Sequence, residues 1–298
     1  MKTLTFKKLD AFSVNGSSGN PAGAVYLNSN SELTPEEMQK LTRELKGYVS
    51  EVAFISRIES NHYWIRYYSS EREVIFCGHA TIAIMYDLIQ SNSELLNEKQ
   101  IYISTKNSKL TVENRIQTDN CVFITSPSPE FKPFTDTIEH ISKVLRIDTN
   151  AINNKYPISV VNAGLETLIV PISSLNSILT MLPDSEELKS YCIANSIDII
   201  TLFSEEVSFK SNQYRTRVFA PVFGYLEDPA TGSGNAAFGH YLLVNNKWNN
   251  KSISIEQSSS PDKPNIVKLV AYDDGNNRFR VLFGGNAIVR VEGKYYLF

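Results

Sequence analysis

At 298 residues the chain is long enough for two domains, each with its own core, and an apolar content of 42% is ordinary for a soluble globular protein. A net charge of -3, a pI near 5.9 and the absence of any dense Lys/Arg stripe argue against nucleic acid or an anionic membrane surface as the main partner, which leaves a small molecule. The first residues lack an apolar core of signal-peptide length and no later apolar run is long enough to cross a bilayer, so a cytoplasmic location is expected. Three widely spaced cysteines, Cys77, Cys121 and Cys192, suit reduced thiols and give neither a disulfide framework nor a zinc pattern, so no metal is expected.

Leu4 to Phe12 alternates as a strand does, and a cluster of turn formers from Asn15 to Pro21 precedes a second apolar run, Ala24 to Leu27. Such a loop can line a site or simply close a hairpin. Thr34-Pro35-Glu36-Glu37 predicts a helix start: Thr34 caps, Pro35 suits the first position, Glu37 completes a capping box, and Leu33 can staple onto Met38. Met38, Leu41 and Leu45 share one face, and Gly47 ends the helix. Ser50 to Ile55 is a short apolar strand with one carboxylate, Glu51, at its entrance; read locally, Glu51 is a solvated strand-end acid. Tyr63 to Tyr68 is another strand, and Glu73 to Phe76 leads into Cys77-Gly78-His79-Ala80-Thr81 and an apolar helix, Ile82 to Ile89.

Thr135 to Ile147 carries Ile138, Ile141, Val144 and Leu145 at helical spacing, and Ser159 to Val170 reads as a strand pair broken at Asn162-Ala163-Gly164. Asp184-Ser185-Glu186-Glu187 starts a helix, while Ile197 to Phe203 and Tyr214 to Phe219 read as strands. Gly224 to Asp228 then leads into Pro229-Ala230-Thr231-Gly232-Ser233-Gly234-Asn235 and a helix from Ala236 to Val244. Ser252 to Glu256, Ile266 to Tyr272, Phe279 to Phe283 and Ala287 to Glu292 are strands, with hairpin signals from Asp273 to Asn277 and at Gly284-Gly285.

The order helix, strand, strand, glycine turn, helix therefore occurs twice, with Gly78 falling on Gly232, His79 on Ser233, and Arg66-Tyr67-Tyr68-Ser69 opposite Arg217-Val218-Phe219-Ala220. A glycine at a helix start lets the backbone approach a ligand, and the first amides of that helix have no partner inside it. Both turns are expected to face one small acidic ligand. The pattern predicts an α+β fold of two pseudo-symmetric halves, each an antiparallel-rich sheet wrapped around a central helix, with two helices per half. Residues 1–117 form the first half, carrying Glu51 and His79, and 118–285 the second, carrying Asp228 and Ser233; the seam lies near Ile116 to Asn120, and the last strand, about 286–298, packs back onto the first half. Taken alone, His79 is a packed or capping residue, and its place in a repeat changes that weighting. Asp228 reads equally as an Asx turn or as a ligand contact.

Asn20-Pro21-Ala22, Ser50-Glu51-Val52-Ala53-Phe54, Cys77-Gly78-His79-Ala80-Thr81, Arg217-Val218-Phe219-Ala220-Pro221, Glu227-Asp228-Pro229-Ala230-Thr231-Gly232-Ser233 and Gly284-Gly285-Asn286-Ala287 resemble the PhzF-like family of phenazine-biosynthesis isomerases, in order and along nearly the whole chain. The resemblance implies a diaminopimelate-epimerase-like fold, a homodimer, and no metal or organic cofactor. It also implies that Glu51 transfers the proton, that His79, Asp228 and Ser233 hold the substrate and help the proton move, and that Gly78, Ala80, Gly232 and Asn20 support the site or bind substrate. Tyr67-Tyr68-Ser69-Ser70 and the stretch from Gln257 to Pro264 depart from the family pattern, which leaves the substrate open.

The expected function is a cofactor-independent isomerase that moves a proton on a small carboxylic acid, cyclic or amino-bearing, with Glu51 as acid and base. A racemase or epimerase of the same architecture and a non-catalytic anion-binding protein are the alternatives. A two-thiol epimerase is disfavoured because Thr231 stands where a second thiol would be needed. Cys77 reads as a reactive thiol at a helix start or as a small buried filler. A thiol hydrolase built on Cys77 and His79 is disfavoured on the expectation that residues two apart at a helix start point to different sides.

Overall fold

Thr34 opens the first helix as its sequence predicts: its hydroxyl accepts from the Glu37 amide (3.3 Å) and the Glu37 carboxylate accepts from the Thr34 amide (2.9 Å). The structure, a computed structural model, describes residues 1–14, 16–249, 251–275 and 279–298. Asn15, Asn276 and Asn277, parts of two expected turns, lie outside the described residues. The chain divides into two units, 1–125 with 284–298, and 126–283. Residues 118–125, placed in the second half by the sequence pattern, thus belong to the first unit.

The first unit contains β1 (Lys2–Ala11), β2 (Asn20–Leu27), α1 (Pro35–Glu44), β3 (Glu51–Glu59), β4 (His62–Ser69), β5 (Glu73–Val74), α2 (Gly78–Gln90), α3 (Ser93–Leu96), β6 (Gln100–Ser104), β7 (Lys109–Arg115), α4 (Ile116–Asp119) and β8 (Cys121–Thr125). The second contains β9 (Glu130–Pro133), α5 (Ile138–Leu145), β10 (Ser159–Asn162), β11 (Glu166–Pro171), α6 (Leu175–Thr180), α7 (Ser185–Ala194), β12 (Ile199–Ser204), β13 (Tyr214–Phe219), β14 (Glu227–Asp228), α8 (Gly232–Val244), β15 (Ile253–Gln257), β16 (Asn265–Asp273) and most of β17 (Phe279–Gly285). The last strand, β18 (Ala287–Leu297), lies in the first unit, antiparallel to β1. Each unit holds more helices than two: the short α3 and α4 add to the first, and α6 joins α5, which the helical spacing from Thr135 to Ile147 marks, in the second.

Strand pairing runs in the same order in both units. In the first, β18, β1 and β2 are antiparallel, β2 meets β3 in parallel, β3 and β4 are antiparallel, β4 takes the short β5 and then β6 in parallel, and β6 to β8 are antiparallel. In the second, β9 to β11 are antiparallel, β11 meets β12 in parallel, β12 and β13 are antiparallel, β13 takes the short β14 and then β15 in parallel, and β15 pairs antiparallel with β16. The parallel steps need helical crossovers, which α1, α2, α7 and α8 supply.

One long helix packs on the strands of each unit. α2 is apolar nearly all round, with residues 80–87 and Ile89 buried, and packs on β1, β2, β3, β8 and β18. α8 buries Gly232 and residues 234–242 against β10, β11, β12 and β16. Gly232 has a packing reason to lack a side chain: a Cβ there would lie 2.4 Å from the Phe283 ring.

Candidate active site

Glu51 is the first residue of β3, flanked by Ala22 on β2 and Ser69 on β4. Being covered from both sides removes it from solvent, so its side chain is only 20% exposed and the solvated strand-end reading does not hold. Burial pushes its carboxyl group up from the usual 4.5 to about 7. Its Oε2 atom is fully buried and makes no hydrogen bond, although His79 Nε2 lies 3.3 Å away; the two atoms are close without being aligned.

His79 stands in the first turn of α2, 13% exposed. Its Nδ1 is 3.4 Å from Cys77 Sγ, which corrects the expectation that the two residues point apart. That expectation assumed helical geometry at both positions, whereas Cys77 is the extended cap residue (φ -134°, ψ 106°) and its side chain folds back over the first turn. Glu51, Cys77 and His79 each bring one potential ligand atom within 4.8 Å of the others, so this is where a metal ion could find three donors among the described residues. Asn20, 4% exposed, opens β2 opposite Ala11, two residues before the strand neighbour of Glu51. Ala80 is wholly buried.

In the second unit, β14 ends at Asp228, whose Oδ1 accepts from the Ala230 amide (3.1 Å). The Asx turn is therefore formed. Arg217 reaches across from β13 with a two-pronged ion pair to Glu227 (2.9 and 2.8 Å) and donates to the Ile178 and Met181 carbonyls, so this motif arginine fixes the strand that delivers Asp228. Ser233 occupies the first turn of α8 behind Thr231, another extended cap residue (φ -121°, ψ 111°). Neither Cys77 nor Thr231 caps its helix with a side-chain hydrogen bond. Neither helix start is thus closed by the side chain of its own cap residue, and the first-turn amides of a helix are the groups that can hold an anion.

The departures from the family pattern are structural here. Tyr67 is fully buried, with its hydroxyl 2.6 Å from Thr81 Oγ1, and Tyr68 packs edge-on against Phe54. Arg215 and Glu256 form an ion pair at 3.0 Å with both side chains at 0% exposure, and Arg215 also donates to the Ser258 and Ser260 carbonyls. Sequence pattern gave no role to Arg215 or Asn265, and quoted Asn235 and Gln257 only as parts of longer stretches without a role; all four are buried.

A sheet wrapped on one long helix, with a glycine start, twice in a chain, defines the diaminopimelate-epimerase-like class of fold. Residues 9–293 match the family described as phenazine biosynthesis-like protein, PhzC-PhzF. The chain belongs to that family and is an isomerase of it. It is 30% identical over 291 residues to the uncharacterized isomerase YfhB of Bacillus subtilis, covering 97% of each chain. The Bacillus anthracis phenazine biosynthesis protein of the PhzF family superposes with a TM-score of 0.87 at 25% identity, covering 99% of this chain and 100% of that one. The trans-2,3-dihydro-3-hydroxyanthranilate isomerase of Pseudomonas fluorescens is 22% identical over 299 residues, covering 97% of this chain and 98% of its own.

Proposed function

We propose that the chain is a cofactor-independent isomerase that shifts a proton between carbons of a small carboxylic acid, cyclic or amino-bearing, with Glu51 as the general acid and base. The observation that carries this reading is the buried, unbonded Oε2 of Glu51 on a carboxyl group held near 7. A base is most effective when its pKa lies near the working pH. The Glu51 carboxylate takes a proton from carbon next to the unsaturated acid, the carbon–hydrogen electrons spread into the conjugated system, and the same carboxyl group returns the proton at another carbon. Atoms and charge balance without an oxidant.

His79, beside Glu51, orients the carboxyl group and touches the substrate, with Asn20 and Gly78 completing that binding surface and the buried Ala80 supporting it from behind. Asp228, Ser233 and Gly232 are the substrate-holding residues of the second turn, and first-turn amides stabilise the delocalised anion. The repeated pairing order and the matching caps support an origin by internal duplication. A homodimer is the assembly that the family resemblance implies.

The test is incubation with ring-bearing unsaturated amino acids and related carboxylic acids in heavy water. Deuterium should enter carbon, the product should carry a moved double bond, and Glu51→Gln should abolish labelling while acid binding survives. An inverted stereocentre with the double bond in place would make the protein an epimerase; binding with no labelling of any acid would leave only an anion-binding protein.

A further inference from the structure

We infer that Gln257 is the positioning residue of the second glycine turn: its buried carboxamide holds the backbone from Asp228 to Thr231 in the one conformation that presents Asp228, Ser233 and the first amides of α8. This rests on the substrate-holding role proposed for that turn.

Threonine in a cap position ordinarily bonds the first turn of its own helix. Thr231 does not; its hydroxyl instead accepts from Gln257 Nε2 (3.2 Å). Gln257 Nε2 also donates to the Asp228 carbonyl (2.8 Å), while Oε1 accepts from the Thr231 amide (2.9 Å) and from Asn235 Nδ2 (2.6 Å). A carboxamide has two donor hydrogens and two acceptor sites. All four are used, and every partner belongs to the turn or to the first turns of α8.

The surrounding side chains extend the clamp. Asn235 Nδ2 donates to the Thr231 carbonyl (2.8 Å), Thr216 Oγ1 donates to Asn235 Oδ1 (3.2 Å), and Asn265 Nδ2 donates to the Pro229 carbonyl (2.7 Å). Gln257, Asn235, Thr216 and Asn265 are all at 0% exposure. Apolar packing would secure a helix start without the desolvation of four polar side chains, so what the network adds is a unique backbone geometry.

β15 explains how Gln257 is delivered. It runs parallel to β13 with Glu256 beside Arg215 and Gln257 beside Thr216, and successive strand residues face opposite sides. Glu256 is locked on one side by Arg215, Asn212 and the Ser208 and Phe209 amides. Gln257 is thereby held toward α8 and cannot slide along the strand.

The experiment compares the parent chain with Gln257→Met, which keeps length without the amide, and with Gln257→Glu, whose buried, protonated carboxyl group keeps an acceptor for the Thr231 amide and one donor in place of two. Amide hydrogen exchange is read peptide by peptide. Exchange across residues 228–235 should rise by about ten-fold or more in Gln257→Met while residues 238–244 stay within about two-fold of the parent, with Gln257→Glu in between. In the heavy-water assay, KM for the acid should rise by about ten-fold because the turn that holds it is loosened, with a smaller fall in labelling at saturating acid. Unchanged exchange at 228–235, or an equal rise along the whole of α8, overturns the inference; should Gln257→Met not fold, the same criterion applies to Gln257→Glu. A localised rise in exchange with no acid labelled even by the parent would keep the clamp and sink the isomerase reading instead.

Discussion

Replacing Glu51 by glutamine should stabilise the folded chain, by an amount that grows with pH. Burial carries the carboxyl group from 4.5 to about 7, and each pKa unit corresponds to about 1.36 kcal/mol, so ionising Glu51 in the folded chain is about 3 kcal/mol harder than in the unfolded one. At acid pH both states hold the neutral form, and parent and variant should differ by less than about 1 kcal/mol. Between 4.5 and about 7 the folded state retains a proton that the unfolded state has released, so parental stability falls as pH rises, and the deficit is constant above that window. Glutamine does not titrate, so the difference between variant and parent should climb from near zero at about pH 4 to about 3 kcal/mol at about pH 8. His240 titrates with the opposite sense. Burial first, and Arg280 second, hold it down to about 4 from the usual 6.5, so stability is lost as pH falls through that interval. That loss is common to both chains and cancels in the difference. Urea unfolding followed by Trp fluorescence across the pH range supplies the numbers. A difference that is flat with pH would refute the desolvation of Glu51, and with it the physical basis for using this carboxyl group as a base near neutrality.

Two further outcomes follow from the helix starts. Gly232→Ala puts a Cβ 2.4 Å from the Phe283 ring, which should lower stability by about 1–3 kcal/mol through overpacking, read as a shift of the urea midpoint; an unmoved midpoint would show that the ring yields freely. Cys77→Ser should leave deuterium labelling within about five-fold of the parent if Glu51 alone carries the proton. A loss beyond about a hundred-fold would transfer that role to the thiol that sits beside His79.

Signals confined to a few neighbouring residues were legible in the sequence. Thr34 to Glu37 is the capping box it reads as, Asp184 caps α7 through the Glu186 and Glu187 amides, and β13 spans the expected Tyr214–Phe219. Where the outcome depended on distant strands, pattern failed. Glu51 looked solvated because its own neighbours give no hint that β2 and β4 close over it from either side. The stretch between α2 and α5 received no strands, yet β6 alternates exposed and buried residues over only five positions, too few to stand out beside the turns around it. Cys77 and His79 were assigned to opposite sides by a rule for helical residues, and the glycine between them marks the point where the helix, and so the rule, begins.

Burial does opposite work at the two glycine turns. Beside the first, it surrounds Glu51 with too few partners: Oε2 is sealed from water and left without a hydrogen bond, and the carboxyl group answers by holding its proton to about 7. Behind the second, it surrounds Gln257 with as many partners as a carboxamide can take, so the same low-dielectric interior strengthens each bond and removes the freedom of the turn. An incompletely paired ionisable group gains reactivity, and a completely paired neutral one gains rigidity. A substitution that completes the first set or depletes the second should therefore impair labelling for different reasons. Glu51→Gln removes the proton carrier while leaving exchange along 228–235 unaltered, whereas Gln257→Met leaves the carrier and its pH dependence in place and loosens only the turn.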